Sequence, residues 1–122
     1  MECIFCKIIS KEMPTEFVYE DDMVVAFRDI HPKAPVHILA VPKSHIPAFN
    51  DLTPKDAPLV VALMLAVPAV AHMAGVADGY KIAVNVGTKG GQVVDHLHLH
   101  LLGWPDGGDE ERGKFKKEVV TV

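Results

Sequence analysis

Three of the chain's seven histidines stand at alternate positions in the run DHLHLHLL, residues 95–102. Side chains alternate faces along a strand, so His96, His98 and His100 point one way and Leu97, Leu99 and Leu101 the other, toward a core. One imidazole on a strand is ordinary packing. Three in register against an apolar opposite face are not explained by packing. Either they ligate a metal or they handle charge near neutral pH, where imidazole titrates. The preceding turn, NVGTKGGQ, has Gly87, Gly90 and Gly91 between two apolar runs. By itself it is a flexible hairpin. Next to a histidine row it reads as an anion site, because glycines let backbone amides approach a phosphate. Imidazole is also a competent nucleophile toward phosphorus, which gives the glycine turn a purpose that a metal-only account lacks.

A second constellation is the C-x-x-C of Cys3 and Cys6. In a reducing compartment that spacing indicates metal binding or redox chemistry rather than a structural disulfide. A thioredoxin-like pair follows a strand and opens a helix. Little chain precedes this one, which ranks metal above redox.

These groups need a scaffold, and 122 residues with 49% hydrophobic side chains are enough for one compact domain without disulfides. A formal charge of −4 argues against nucleic-acid binding through a basic surface. Glu2, Lys7, Lys11 and Glu12 interrupt any apolar run near Met1, so no signal peptide is expected and the cytoplasm is the expected compartment. CIFCKIISKE reads as a short helix. EFVYEDDMVVAFRDI reads as a hairpin turning at Asp21–Asp22, and VHILAVPK as a third strand ending at Pro42. YKIAVNV and DHLHLHLL supply strands four and five. Between them and the third strand, Thr53, Pro54 and Asp56 open a long helix that Gly75 closes. Pro68 within it predicts a kink or a break. Residues 57–77 carry no formal charge and could span a bilayer by length, but Pro58, Pro68, His72 and Gly75 favour a buried helix, and no membrane partner is expected. A helix apolar on nearly all sides calls for more than one covering neighbour, a second subunit included. Hairpin-linked strands with one main helix predict an α+β fold on an antiparallel sheet.

The run His96-Leu97-His98-Leu99-His100-Leu101-Leu102 resembles the H-φ-H-φ-H-φ-φ signature of the histidine-triad (HIT) superfamily of nucleotide hydrolases and transferases, φ being apolar. IFCKIISKEMPTEFVYEDD, AFRDIHPKAPVHILAVPKSHI and NVGTKGGQ agree with it in the same order, over roughly residues 2 to 105. The chain is most similar to the Hint branch, the purine nucleoside phosphoramidases, in its zinc-containing bacterial form. The resemblance implies a HIT-like fold of about five antiparallel strands with one main helix and a short N-terminal helix. Residues 1–106 would form a single HIT domain, and 107–122 a C-terminal tail that joins it or stays loose.

The same resemblance implies roles for particular residues. His98 matches the nucleophile, which would attack the α-phosphorus of a nucleoside phosphoramidate, form a nucleotidyl-histidine and release a nucleoside monophosphate on hydrolysis. A neighbouring carbonyl would hold its productive tautomer. His100 matches the histidine that contacts phosphate and assists the leaving group, and His37 another histidine of that cluster. Asp29 matches the ribose-binding carboxylate, and Asn85 the asparagine that orients phosphate. Gly91, Gln92 and Val93 would add mostly backbone contacts. Val93 stands where Hint proteins commonly place a serine, which implies lower activity or a different leaving group. Ile4, Phe5, Ile8, Phe27 and Ile30 match the purine slot. Cys3, Cys6, His45 and His96 match a structural zinc site, with no cofactor needed for the chemical step. His31 and His72 fall outside the site. The implied ligand is a purine nucleotide or nucleoside monophosphate conjugate, and the implied assembly a homodimer paired through the long helix. The alternatives are a dinucleoside polyphosphate hydrolase or nucleotidyl transferase, a non-catalytic nucleotide-binding adaptor, and a catalytic metal centre built from the histidines.

Overall fold

The structure is a computed structural model that describes residues 3–105. The tail 107–122, expected to join the domain or stay loose, lies outside the described residues. Within them, the expected α+β architecture is observed. The short helix α1 is Ile4–Ile9, and strands β1 (Phe17–Glu20), β2 (Val24–Arg28) and β3 (Val36–Pro42) follow. The long helix α2 (Ala57–Met73) precedes β4 (Lys81–Ala83) and β5 (Leu99–Gly103). The five strands form one antiparallel sheet in the order β1-β2-β3-β5-β4.

The hairpin turns where the sequence places it. The Asp21 carboxylate accepts from the Met23 and Val24 amides, both at 2.8 Å, and so closes the turn from its own side chain. Helix α2 is entered through a 3-10 turn, Pro54–Asp56, in which the Thr53 amide donates to the Asp56 carboxylate at 2.9 Å. It ends at Gly75 in a left-handed conformation (φ 78°). There the Val76 amide reaches Ala71 O at 3.0 Å and the Gly75 amide reaches His72 O at 3.2 Å, the double bond that satisfies orphan carbonyls at a helix end. Pro68 does not break the helix, which continues to Met73. It lies on the exposed face, where water can take the bond that its missing amide would have given to the Met64 carbonyl.

Both faces of the sheet are covered. Val24, Ala26, Ile38, Ala40, Leu99 and Leu101 pack with Leu63, Ala66, Val67, Val70 and Ala71 of α2. On the opposite face Val25, Phe27, Leu39 and Val41 pack with Phe5 and Ile8 of α1. The segment Pro54–Met73 is long and apolar enough to cross a membrane, yet its buried stripe is part of this core. Its other face is apolar and exposed at Val61, Met64, Leu65 and Met73.

Two strands are shorter than expected. β4 stops at Ala83, paired with His100, one residue short of the Leu99 start of β5. His96 and His98 precede that ladder. In register they would meet the end of β3, but Pro42 has no amide to give and its carbonyl accepts from the His96 ring at 2.8 Å. The Leu97 amide goes instead to Ile46 O at 2.7 Å. The alternation of faces survives all the same: Leu97 joins Leu99 and Leu101 in the α2-side core.

At the far end of β5, Gly103 marks a close approach. A Cβ there would lie 2.7 Å from a Val76 methyl and 2.9 Å from its Cβ, and Val76 is itself buried. Gly103→Ala is expected to destabilise the fold by about 1–3 kcal/mol in urea unfolding, the range for overpacking a closed site. An unchanged midpoint would contradict the contact.

Candidate active site and metal centre

The histidine row is buried rather than solvated. His96 and His100 are 0% exposed, His98 2% and His37 3%. Buried ring nitrogens are as a rule hydrogen-bonded, and the partners they have fix the tautomers. His98 Nδ1 lies 2.6 Å from its neighbour's carbonyl, His96 O. A carbonyl only accepts, so Nδ1 carries the proton and Nε2 is the ring nitrogen without one. The Phe5 ring stands edge-on to the His98 ring at 5.1 Å between centroids and an interplanar angle of 90°. Residue 98 is thus held by Nδ1 against the main chain and by its ring against Phe5.

A second chain of nitrogens runs alongside. The Lys33 amide donates to His37 Nδ1 at 2.9 Å, so His37 carries its proton on Nε2. That Nε2–H lies 2.9 Å from His100 Nδ1, which must accept. His100 therefore carries a proton on Nε2, and this atom is buried with no hydrogen-bond partner among the described residues. Asp29 closes the group. Its Oδ2 is 3.4 Å from His37 Nε2 and is likewise unpartnered, while Oδ1 accepts from the His31 amide at 2.8 Å. Asp29, His37 and His100 are close enough to hold a cation by distance alone. The Lys33 amide argues for a proton chain instead, because metal ligation at His37 Nε2 would force the proton onto Nδ1, against another donor.

Burial pushes the pKa of His37 down, opposed by the Asp29 charge. Burial, with the neighbouring His98, pushes His100 down to about 3. A histidine held below its ordinary pKa binds protons better in the unfolded chain, so stability rises with pH across the window between the two values. This contribution is complete above the ordinary imidazole range near ~6.5 and is lost as pH falls from there toward the folded-state value. Melting temperatures should fall progressively below that range, each such group adding up to about 1.4 kcal/mol of destabilisation per pH unit. A melting curve flat from neutral pH to strongly acid would show that these rings are not held neutral.

Cys3, Cys6, His45 and His96 converge from three parts of the chain: the start of α1, the loop after β3, and the segment before β5. His96 Nε2–H is bound to Pro42 O, which leaves the Nδ1 lone pair aimed at the two sulfurs, 3.4 Å from Cys3 Sγ and 3.7 Å from Cys6 Sγ. His45 Nδ1 is 3.0 Å from His96 Nδ1 and 3.4 Å from Cys6 Sγ. A tetrahedral Zn²⁺ with ordinary Zn–N and Zn–S bonds sets its ligands about 3.3–3.8 Å apart, which these separations approach. Burial and the neighbouring Cys3 raise the Cys6 thiol pKa, and a bound cation would reverse that by favouring thiolate. The four residues are positioned for a metal ion of the zinc type. His98 is not among them.

The remaining expected site residues fall into two groups. Phe5, Ile8 and Phe27 come together on the His98 side of the sheet, with Phe5 and Phe27 in edge contact at 5.5 Å. Ile4 and Ile30 are exposed, Ile30 at 84%. Asn85 Nδ2 lies 3.4 Å from Gly91 O. The glycine turn departs from the simple cradle expected of it. The Gly90 and Gln92 amides bind Gly87 O, and the Gly91 amide binds Thr88 O, so these three donors close the loop on itself. The Gln92 side chain, 7% exposed, accepts from the Gly87 amide and donates to Pro47 O and Val94 O. It holds the turn and is not free for a ligand. Val93 is exposed. His31 and His72 are exposed and outside the cluster, as expected. The Lys33 amide and the Pro42 carbonyl had no sequence signal beyond their position, since backbone groups carry no residue signature.

A family model described as "Scavenger mRNA decapping enzyme C-term binding" matches residues 2–114. The chain is 48% identical over 103 residues to protein HitA of Neisseria gonorrhoeae, covering 84% of this chain and 96% of that protein. The chain belongs to the histidine-triad family. Another histidine-triad relative, the purine nucleoside phosphoramidase of Escherichia coli (strain K12), is 45% identical over 103 residues, with 84% and 87% of the two chains covered. Among solved structures, a HIT family hydrolase from Clostridium thermocellum superposes with a TM-score of 0.83 at 43% identity, covering 89% of this chain and 96% of that one. The triad that defines the family is the His96, His98, His100 row described above.

Proposed function

We propose that this histidine-triad protein is a hydrolase of nucleoside 5′-phosphoramidates or related nucleotide conjugates, acting through a covalent nucleotidyl-His98. The observation that carries the reading is the 2.6 Å bond from His98 Nδ1 to His96 O, which places the proton on Nδ1 and makes Nε2 the attacking nitrogen. The names of the Escherichia coli relative and of the Clostridium thermocellum structure support the reaction class. His98 Nε2 attacks the α-phosphorus, the bond to the leaving amine breaks, and water later cleaves the P–N bond to return the free ring and a nucleoside monophosphate. Dividing displacement into two steps lowers the barrier of each. His100 Nε2–H is the donor to a phosphate oxygen or the departing group, held in that tautomer by His37 and the Lys33 amide. Asp29 Oδ2, buried and unpartnered, accepts from ribose hydroxyls. Phe5, Ile8 and Phe27 form one wall of a purine slot, and Ile4 and Ile30 have exposed apolar area for the base to cover. Asn85 and Val93 bear on the phosphate end, and Gly91, whose amide binds Thr88 O, shapes the turn beside it. A metal held by Cys3, Cys6, His45 and His96 would be zinc in a structural role, and the chemical step needs none. The exposed apolar face of α2, together with Ile82 on the edge strand β4, supports a homodimer.

The test is to quench the reaction of adenosine phosphoramidate in acid-free conditions and map the adduct by peptide mass. An adenylyl group on His98, formed equally well with a chelator present, is the expected result. Turnover without any adduct, or an adduct on another residue, would remove the proposed intermediate.

A further inference from the structure

Besides being positioned to hold a cation, Cys3 and Cys6 have their sulfurs within 4.8 Å of each other, in a cluster that touches the neighbours of His98. Cys3 caps the first turn of α1 from an extended backbone, and its sulfur accepts the Cys6 amide at 3.4 Å. The two sulfurs, His45 and His96 put their ligand atoms within 4.8 Å of one another. Both cysteines are partly exposed and His45 is exposed, so a small oxidant reaches the cluster from solvent.

The link to the catalytic side runs through two residues. His96 turns its ring toward the sulfurs, while its main-chain carbonyl holds the His98 Nδ1 proton at 2.6 Å. Phe5, which lies between the cysteines in sequence, packs its ring edge-on against both His96, at 5.9 Å, and His98, at 5.1 Å. A change at the sulfurs therefore reaches the acceptor and the packing neighbour of His98 together. Without a shared cation, the His96 Nδ1 lone pair and His45 Nδ1, 3.0 Å apart, need a proton between them or must separate.

We propose that a two-electron oxidant of the peroxide class converts Cys3 and Cys6 to a disulfide, expels the cation they hold, and lowers turnover by releasing His98 from its alignment. One thiolate attacks a peroxide oxygen to give a sulfenic acid and hydroxide. The second thiolate attacks that sulfur, forms the S–S bond and expels a second hydroxide. The peroxide O–O bond takes up the two electrons. A dithiol reverses the change by exchange, and added Zn²⁺ restores the site. Oxidation and cation release stand independently of the substrate assignment above; only the turnover arm rests on it.

The experiment takes the zinc-loaded full chain and titrates hydrogen peroxide. Expected are zinc appearing in a chromophoric chelator, loss of both free thiols, and an intact mass lighter by two hydrogens than the reduced chain. The downfield imidazole N–H resonance of His98 should shift or broaden, and phosphoramidate turnover should fall about tenfold or more, the scale of a slightly misplaced catalytic group. Dithiothreitol with Zn²⁺ should restore all of these. Cys6→Ser serves as the mass control, since it has no partner thiol. A gain of oxygen that thiols do not reverse, a disulfide formed with zinc retained, or a released cation with the His98 resonance unmoved would each overturn the proposal. If neither form turns over any nucleoside phosphoramidate while the other readouts behave as expected, the oxidation site stands and the substrate assignment fails.

Discussion

His98→Ala should lower kcat on adenosine phosphoramidate by at least about 10⁴-fold while leaving AMP affinity within a few-fold. That loss corresponds to about 5.5 kcal/mol of transition-state stabilisation, more than any neighbouring substitution should cost. The separation of kcat from binding follows from the geometry. The proposed donor to the phosphate is His100 Nε2, whose tautomer is set by His37 and the Lys33 amide, and none of these passes through residue 98. Alanine removes the lone pair and leaves that chain intact. It also leaves His96 O without its donor and Phe5 without one ring neighbour, so a modest drop in stability accompanies the kinetic effect. His100→Ala should behave differently, slowing turnover while adduct still forms, because it removes a donor and not the attacking atom. Rapid-quench measurement of adduct and product separates the two variants. If His98→Ala retained a tenth of the activity, imidazole attack would be excluded whatever the fate of the fold.

Much of this arrangement is legible in the residues because alternation is a strong physical signal. The faces of His96, His98 and His100 follow from period two alone, and the Leu97, Leu99 and Leu101 row packs on α2 as that period requires. Asp21 and Gly75 act through their own side-chain chemistry and conformational freedom, so the hairpin and the helix end were readable where they occur. What pattern could not convey is pairing. The His96–His98 segment reads as strand, yet in place of ladder bonds the His96 ring donates to Pro42 O, the Leu97 amide to Ile46 O and the His98 ring to His96 O. The glycine turn shows the same limit. Glycines announce that amides can approach a ligand, but three of those amides are taken by the loop itself and Gln92 is its brace. Nor does the sequence reveal that His37 and His100 share one proton chain from 63 residues apart, since that contact exists only through the β3–β5 register.

Stripping the cation from the Cys3, Cys6, His45, His96 centre should lower the melting temperature by roughly 15 °C at neutral pH. A ligand bound to the native chain alone at about a thousand times its Kd adds about 4 kcal/mol, and in a domain near this size each kcal/mol moves the midpoint by roughly 4 °C. The location makes the loss structural. The centre ties α1 to the segment before β5, residues separated by 93 positions, and α1 in turn covers Val25, Phe27, Leu39 and Val41. Without the cation, two ring nitrogens 3.0 Å apart face each other beside partly buried thiols. The four ligands should not respond alike. Cys3→Ser and His45→Ala lie toward the surface, so their effect acts through the metal, and each should melt with chelator-treated wild type once both are metal-free. His96→Ala should fall lower still, because it also deletes a fully buried ring, its bond to Pro42 O and its contact with Phe5. Differential scanning calorimetry with and without chelator decides the matter. If wild type melted at the same temperature in both conditions, the four residues would be a polar cluster and not a metal centre.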